Sequence, residues 1–206
     1  MRILWDVDTQ VDFMLPDGKL YVPGAEQTAP AMRRLVEAAR AAGIVHVASA
    51  DDHELTDPEI SEAPDFSNTF PPHCLRGTRG AEKIPETEQH DPLPLSLVPY
   101  PPGLILGLIG GRREILLLKK NFNVFTNPNT DSVLEALDPD EIVLFGVATD
   151  VCDDAAIRGF LQRGRRVRFV EDAARALDER QAAVCTASWR ERGVEFVTHD
   201  EVIGSL

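Results

Sequence analysis

Cys152 stands in a stretch, residues 141–164, whose residue types and spacing could support chemistry. Ahead of it runs the unbroken apolar stretch Ile142-Val143-Leu144-Phe145, the pattern of a strand covered on both faces. The small residues Gly146-Val147-Ala148 then allow a tight turn, and Thr149 or Asp150 offers an N-cap. Cys152, Ala155, Ala156, Gly159 and Phe160 follow at helical spacing up to Gly164. A cysteine in a first helical turn meets unpaired N–H groups and the positive helix end, which favour a thiolate and could stabilise an oxyanion. On this stretch alone, a nucleophile and a small buried core residue fit equally well.

Two further groups decide between them. Asp8 ends the apolar run around Ile3, Leu4, Trp5 and Val7, and Lys119 ends the run Glu114–Leu118. Taken singly, Asp8 could simply open a loop and Lys119 could snorkel to solvent. Together with Cys152 they stand at the carboxyl ends of separate strands, where reacting groups converge in an open parallel sheet. A carboxylate can take a thiol proton, a lysine can hold that carboxylate, and a thiolate can attack a carbonyl carbon.

Strands are expected at 2–7, 44–50, 114–118, 142–145, 165–171 and 194–198. Helices are expected at 25–42, after Asn129 or Thr130, at the Cys152 segment and at 178–192. The alternation predicts a three-layer, doubly wound, Rossmann-like α/β fold: a mostly parallel six-stranded sheet with helices on both faces. No linker divides the chain, so residues 1–206 are expected to form a single domain. Residues 54–92 show no sustained period, yet Phe66, Phe70 and His73 give that stretch something to bury. Residues 93–112 are apolar and rich in Pro and Gly, fitting a packing segment first, and otherwise a lid or an oligomer contact.

Composition narrows the partners. With 21 Lys plus Arg against 34 Asp plus Glu, the net charge is −13, which argues against nucleic acid and anionic membranes as ligands. The apolar stretch Leu104–Ile109 is broken by Gly107 and falls far short of the ~20 residues a bilayer requires. The odd count of 3 cysteines gives no disulfide framework, Cys74 and Cys185 have no assigned role, and no signal-peptide pattern opens the chain. A cytoplasmic protein with a small-molecule substrate is the expectation. Gly103, Gly107, Gly110 and Gly111 do not keep the spacing of a dinucleotide fingerprint.

The motifs DTQVDF (8–13), DDH (51–53), FPPHCLRGTRGAE (70–82), KKNFNVF (119–125) and GVATDVC (146–152) occur in this order. By them the chain resembles the isochorismatase-like cysteine hydrolase superfamily, and within it the nicotinamidase-related branch. The resemblance implies Asp8 as general base, Cys152 as nucleophile and Lys119 as the third triad member, with Lys120 the runner-up. It implies a cis peptide between Val147 and Ala148, with the N–H groups of Ala148 and Cys152 facing an oxyanion. Phe13 and Phe70 match pocket residues able to sandwich a flat ring. Asp51, His53 and His73 match ligands of a divalent transition metal such as Zn, Mn or Fe, while Glu59 takes the place of a further family histidine and Asp57 competes with it. A homodimer or homotetramer is implied as well.

The activity implied is hydrolysis of a small carboxamide, nicotinamide first, to an acid and ammonia through a thioester. The alternatives are a metal-independent hydrolase of another amide, carbamoyl or ureido compound, a vinyl-ether hydrolase of isochorismatase type, and a non-catalytic binding protein. An intact Asp8, Lys119 and Cys152 set counts against the last two.

Overall fold

The computed structural model describes all residues from Met1 to Leu206. Its strands are β1 (Arg2–Val7), β2 (Val45–Asp51), β3 (Leu93–Leu95), β4 (Glu114–Lys119), β5 (Glu141–Val147), β6 (Arg166–Arg175) and β7 (Glu195–Val197). They form one sheet in the order β3-β4-β2-β1-β5-β6-β7, and every pairing is parallel. The helices are α1 (Val11–Met14), α2 (Ala29–Ala41), α3 (Pro102–Ile109), α4 (Thr130–Leu137), α5 (Cys152–Gln162), α6 (Glu179–Glu191) and α7 (His199–Ile203).

Alternation along the strands builds a core on each face of the sheet. Ile3 and Trp5 of β1, Val45 and Val47 of β2, Ile115 and Leu117 of β4, and Ile142 and Leu144 of β5 pack beneath α3, α4, α5 and α6. Leu4, Val143, Phe145 and Val147 face the other way, onto α1, α2 and α7. Each large apolar side chain buried in this way contributes about 1.5–3 kcal/mol. On the first face the stripe turns polar as it nears the carboxyl ends: Val45, Val47, Ser49, Asp51 on β2, and Ile115, Leu117, Lys119 on β4. Ser49, Asp51 and Lys119 are nevertheless all buried. The chain fills one half of the sheet first (β1, β2, β4), then returns to β5 beside β1. That reversal opens a crevice at the carboxyl ends of the central strands.

Several expectations are corrected here. The sheet has seven strands, not six. The added β3 is a three-residue edge strand containing Pro94, too short and too irregular to show a period; an edge tolerates the missing N–H. Segment 93–112 supplies this strand and α3, burying Ile105 and Ile109 while Leu104, Leu106 and Leu108 remain exposed. The helix expected at 25–42 opens with a 3-10 turn over Ala25–Thr28. The N-cap of α5 is Val151 without a side-chain cap, not Thr149 or Asp150. Asp150 instead accepts from Leu177 and Asp178 N–H (2.8 and 2.9 Å), joining the start of α5 to the start of α6.

Gly146 shows how tightly β5 meets β1. Its φ is +137°, and an added Cβ would lie 2.1 Å from the Val7 carbonyl oxygen. Gly146→Ala is expected to lower stability by more than about 2 kcal/mol in urea unfolding, since both strain and a backbone clash oppose it.

Candidate active site

Three strand ends bring the reactive groups together. Asp8 directly follows β1 with φ +50°, an uncommon conformation for a residue other than glycine, and the chain turns there into α1. Lys119 Nζ, from the end of β4, lies 2.8 Å from Asp8 Oδ2 and 3.9 Å from Cys152 Sγ. It also donates to Asp51 Oδ1 from the end of β2. Ser49 Oγ donates to Asp8 Oδ1 at 2.7 Å. Lys120 points elsewhere, with Nζ 2.8 Å from Asp57 Oδ1. The Val147–Ala148 peptide is cis. The Ala148 carbonyl accepts from Val151 and Asp153 N–H, which leaves the Ala148 and Cys152 N–H groups without a backbone acceptor.

Charge and burial compete throughout this cluster. Burial alone would push Lys119 down, but Asp51 and Asp8 outweigh it and hold the ammonium well above its ordinary pKa. For Asp51 burial acts upward, and it is outweighed by Lys119 and by the adjacent His53 and His73 imidazoles, so the carboxylate lies well below its usual range. Burial raises Asp8, with Lys119 opposing. Burial also pushes the Cys152 thiol well above its usual range, against the pull of Lys119. Burial thus opposes the thiolate that a helix start alone would favour, with Asp51 adding to its effect. Such a thiol needs a base, and the neighbouring Asp8 adds to its rise.

A second cluster adjoins the first through Asp51. One donor atom each of Asp51, His53, Glu59 and His73 lies within 4.8 Å of the others. His73 Nε2 and His53 Nε2 approach Asp51 Oδ2 at 3.4 and 3.7 Å, and His53 Nε2 lies 3.8 Å from Glu59 Oε1. His73 Nδ1 lies 2.7 Å from the Pro71 carbonyl, which assigns its proton to Nδ1 and turns Nε2 inward. His53 is fully buried, yet neither ring nitrogen has a hydrogen-bond partner. Orphaned imidazole nitrogens facing two carboxylates are the donor set of a divalent transition metal, so these residues fit one. Glu59 belongs to this set. Asp57 does not: its Oδ2 sits 3.4 Å from His53 Nδ1, on the outer side of the ring.

Phe13, Phe70 and Phe122 wall a narrow cavity that reaches Cys152 and Ala148 as well as Asp51, Glu59 and His73. Beyond Phe70, Phe122 and Val151 it adjoins an open groove of about 780 Å³. Phe122, Ser49 and Gln10 join the site without having been singled out by the motifs. Gln10 clasps Asp51 by its backbone: Nε2 donates to the Asp51 carbonyl (2.8 Å) and Oε1 accepts from its N–H (2.7 Å). A polar residue continuing an apolar stripe was the available signal for Ser49.

Comparison with known proteins agrees with this geometry. The isochorismatase domain model matches residues 3–94 and 103–201. A nicotinamidase/pyrazinamidase of Mycobacterium tuberculosis is 29% identical over 199 residues, covering 96% of this chain and 98% of that protein. The crystal structure of a Pyrococcus horikoshii pyrazinamidase in complex with zinc superposes with a TM-score of 0.73 at 21% identity, covering 96% of this chain and 98% of the other. An N-carbamoylsarcosine amidase of Thermoplasma acidophilum gives a TM-score of 0.72 at 26% identity, covering 97% and 96%. The chain therefore belongs to the isochorismatase family, in the branch of amide-bond hydrolases that includes the nicotinamidases.

Proposed function

We propose that this chain is a single hydrolase domain, residues 1–206, that cleaves a small flat carboxamide, foremost nicotinamide, to its acid and ammonia through a thioester on Cys152. One observation carries the reading. A single apolar cavity, walled by aromatic rings, has Cys152 and Ala148 on its lining together with Asp51, Glu59 and His73. An amide carbon at the thiol and a ring nitrogen toward the histidine–carboxylate cluster would occupy it together. No arginine or lysine lines this cavity, which favours an uncharged aromatic amide over a carbamoyl amino acid, whose carboxylate would need a cation.

In this mechanism Asp8 takes the proton from Cys152 Sγ, and the freed thiolate forms a bond to the amide carbon. The oxygen of the tetrahedral adduct carries negative charge and meets the Ala148 and Cys152 N–H groups. Asp8 then delivers its proton to the amide nitrogen, the C–N bond breaks, and ammonia leaves. In the second half Asp8 removes a proton from water, whose oxygen attacks the thioester carbon; the C–S bond breaks, the acid leaves, and the proton passes from Asp8 back to Cys152 Sγ. Lys119 pairs with Asp8 and balances its charge. Asp51, His53, Glu59 and His73 would hold the metal, which when bound supplies a Lewis acid for the ring nitrogen. The zinc in the Pyrococcus pyrazinamidase makes zinc the first ion to try.

Ammonia release from nicotinamide tests this reading. Cys152→Ala should lower turnover by more than about 10⁴-fold. Lys119→Met should lose more than about 100-fold, whereas Lys120→Met, whose ion pairs with Asp57 and Glu54 lie outside the cavity lining, should lose less than about 10-fold. Equal losses in the two lysine variants would contradict the assignment. Calorimetric titration with zinc should show one site, weakened at least about 100-fold by His53→Ala. Chelation should raise the KM for nicotinamide, and added metal should restore it. Retained turnover in Cys152→Ala would end the proposal.

A further inference from the structure

Ser49 shares a face of β2 with Val45, Val47 and Asp51, and this face packs into an apolar core. Its hydroxyl is fully buried there and donates to Asp8 Oδ1 at 2.7 Å across the strand boundary. A buried polar residue on an apolar stripe weakens packing unless it has a task. Here the task follows from the geometry of a carboxylate. The last torsion of an aspartate has a broad, two-fold profile, so nothing intrinsic distinguishes Oδ1 from Oδ2. In this site the two oxygens differ. Oδ1 accepts from Ser49, whereas Oδ2 lies 2.8 Å from Lys119 Nζ in an ion pair that leaves it without a directed hydrogen bond.

We propose that Ser49 is a positioning residue for the hydrolysis: its hydrogen bond to Oδ1 fixes the plane of the Asp8 carboxylate, so that Oδ2 is the oxygen that carries the proton in both halves of the reaction. This rests on the amidase reading above. In the first half the Sγ–H bond of Cys152 breaks and the Oδ2–H bond forms, and the thiolate electron pair makes the S–C bond. When the C–N bond breaks, the proton on Oδ2 passes to nitrogen. In the second half Oδ2 takes a proton from water, whose oxygen bonds to the acyl carbon; the C–S bond then breaks, its electron pair returns to Sγ, and the proton on Oδ2 passes back to Sγ. Ser49 keeps its own proton throughout and needs only to remain a donor. Without that donor the carboxylate can rotate, and a base turned away by about 1 Å loses on the order of 100-fold in rate.

The test compares Ser49→Ala, Ser49→Cys and Ser49→Thr in the full chain. Two rates are read: ammonia release from nicotinamide, and alkylation of Cys152 by iodoacetamide at one pH. Ser49→Ala should lose about 10–100-fold in kcat with KM within about twofold, because the defect lies in proton transfer and not in ring binding. Ser49→Thr retains the hydroxyl and should recover most of the rate. Ser49→Cys keeps the volume but offers only a weak donor, so it should fall between them. Alkylation of Cys152 should slow in the same order. A Ser49→Ala enzyme with kcat within twofold of wild type would overturn the proposal, as would a Ser49→Thr enzyme as impaired as Ser49→Ala. If the wild-type chain turns over no carboxamide, the amidase reading fails by itself, and the alkylation order still decides whether Ser49 sets the base.

Discussion

The site depends on one buried ammonium shared by two carboxylates. Lys119 is fully buried and sits between Asp8, which follows β1, and Asp51, which ends the adjacent strand β2. Desolvating three charged groups is costly, and only close pairing offsets it; removing one partner of such a set typically costs about 3–5 kcal/mol. The arrangement also leaves a surplus. Two carboxylates face one lysine, and Glu59 brings a third acid, which burial and Asp51 push up in pKa. A site with this imbalance, beside two inward-facing histidines, is electrostatically suited to a divalent cation. Asp51 therefore connects two pieces of chemistry: one oxygen serves Lys119 and the other the histidines.

That hub is possible because the strands are parallel and in register. Asp51 pairs with Lys119 across β2 and β4, so their side chains leave the sheet at the same level. Asp6 pairs with Ala48 on the neighbouring strand, which puts Asp8 level with the end of β2. Its left-handed backbone then directs the chain into α1. Gln10, two residues on, returns to clasp Asp51. Asp12 accepts the Cys74 N–H at 2.7 Å and so ties the His73 segment to α1. The short DTQVDF run thus supplies a carboxylate paired with Lys119 and two clamps. The helices contribute chiefly by covering the apolar faces, apart from α5, which presents Cys152 from its first turn.

Much of this was legible in the sequence because it obeys simple periodicities. The apolar runs around Ile3–Val7 and Ile142–Phe145 mark central strands, and polar residues directly after such runs mark the crevice. Other features depend on distance in space and leave no local trace. The pairing of Leu93–Leu95 with β4 is a three-residue event at an edge. Whether Glu59 or Asp57 joins the cluster turns on which side of the His53 ring each approaches, which spacing alone does not encode. The helix start that precedes Cys152 is visible in the sequence, whereas its burial, which acts on the thiol in the opposite direction, is not. Ser49 continues an apolar stripe as a polar residue, but its place beside Asp8 depends on the pairing of two strands and is not written locally.

The most direct test of the account is mass spectrometry of the protein quenched during nicotinamide turnover. The account predicts an acyl adduct on the peptide that carries Cys152, removed by further incubation with water and absent in Cys152→Ala. Turnover with no adduct on Cys152, or an acyl group found on Cys74 or Cys185, would contradict it.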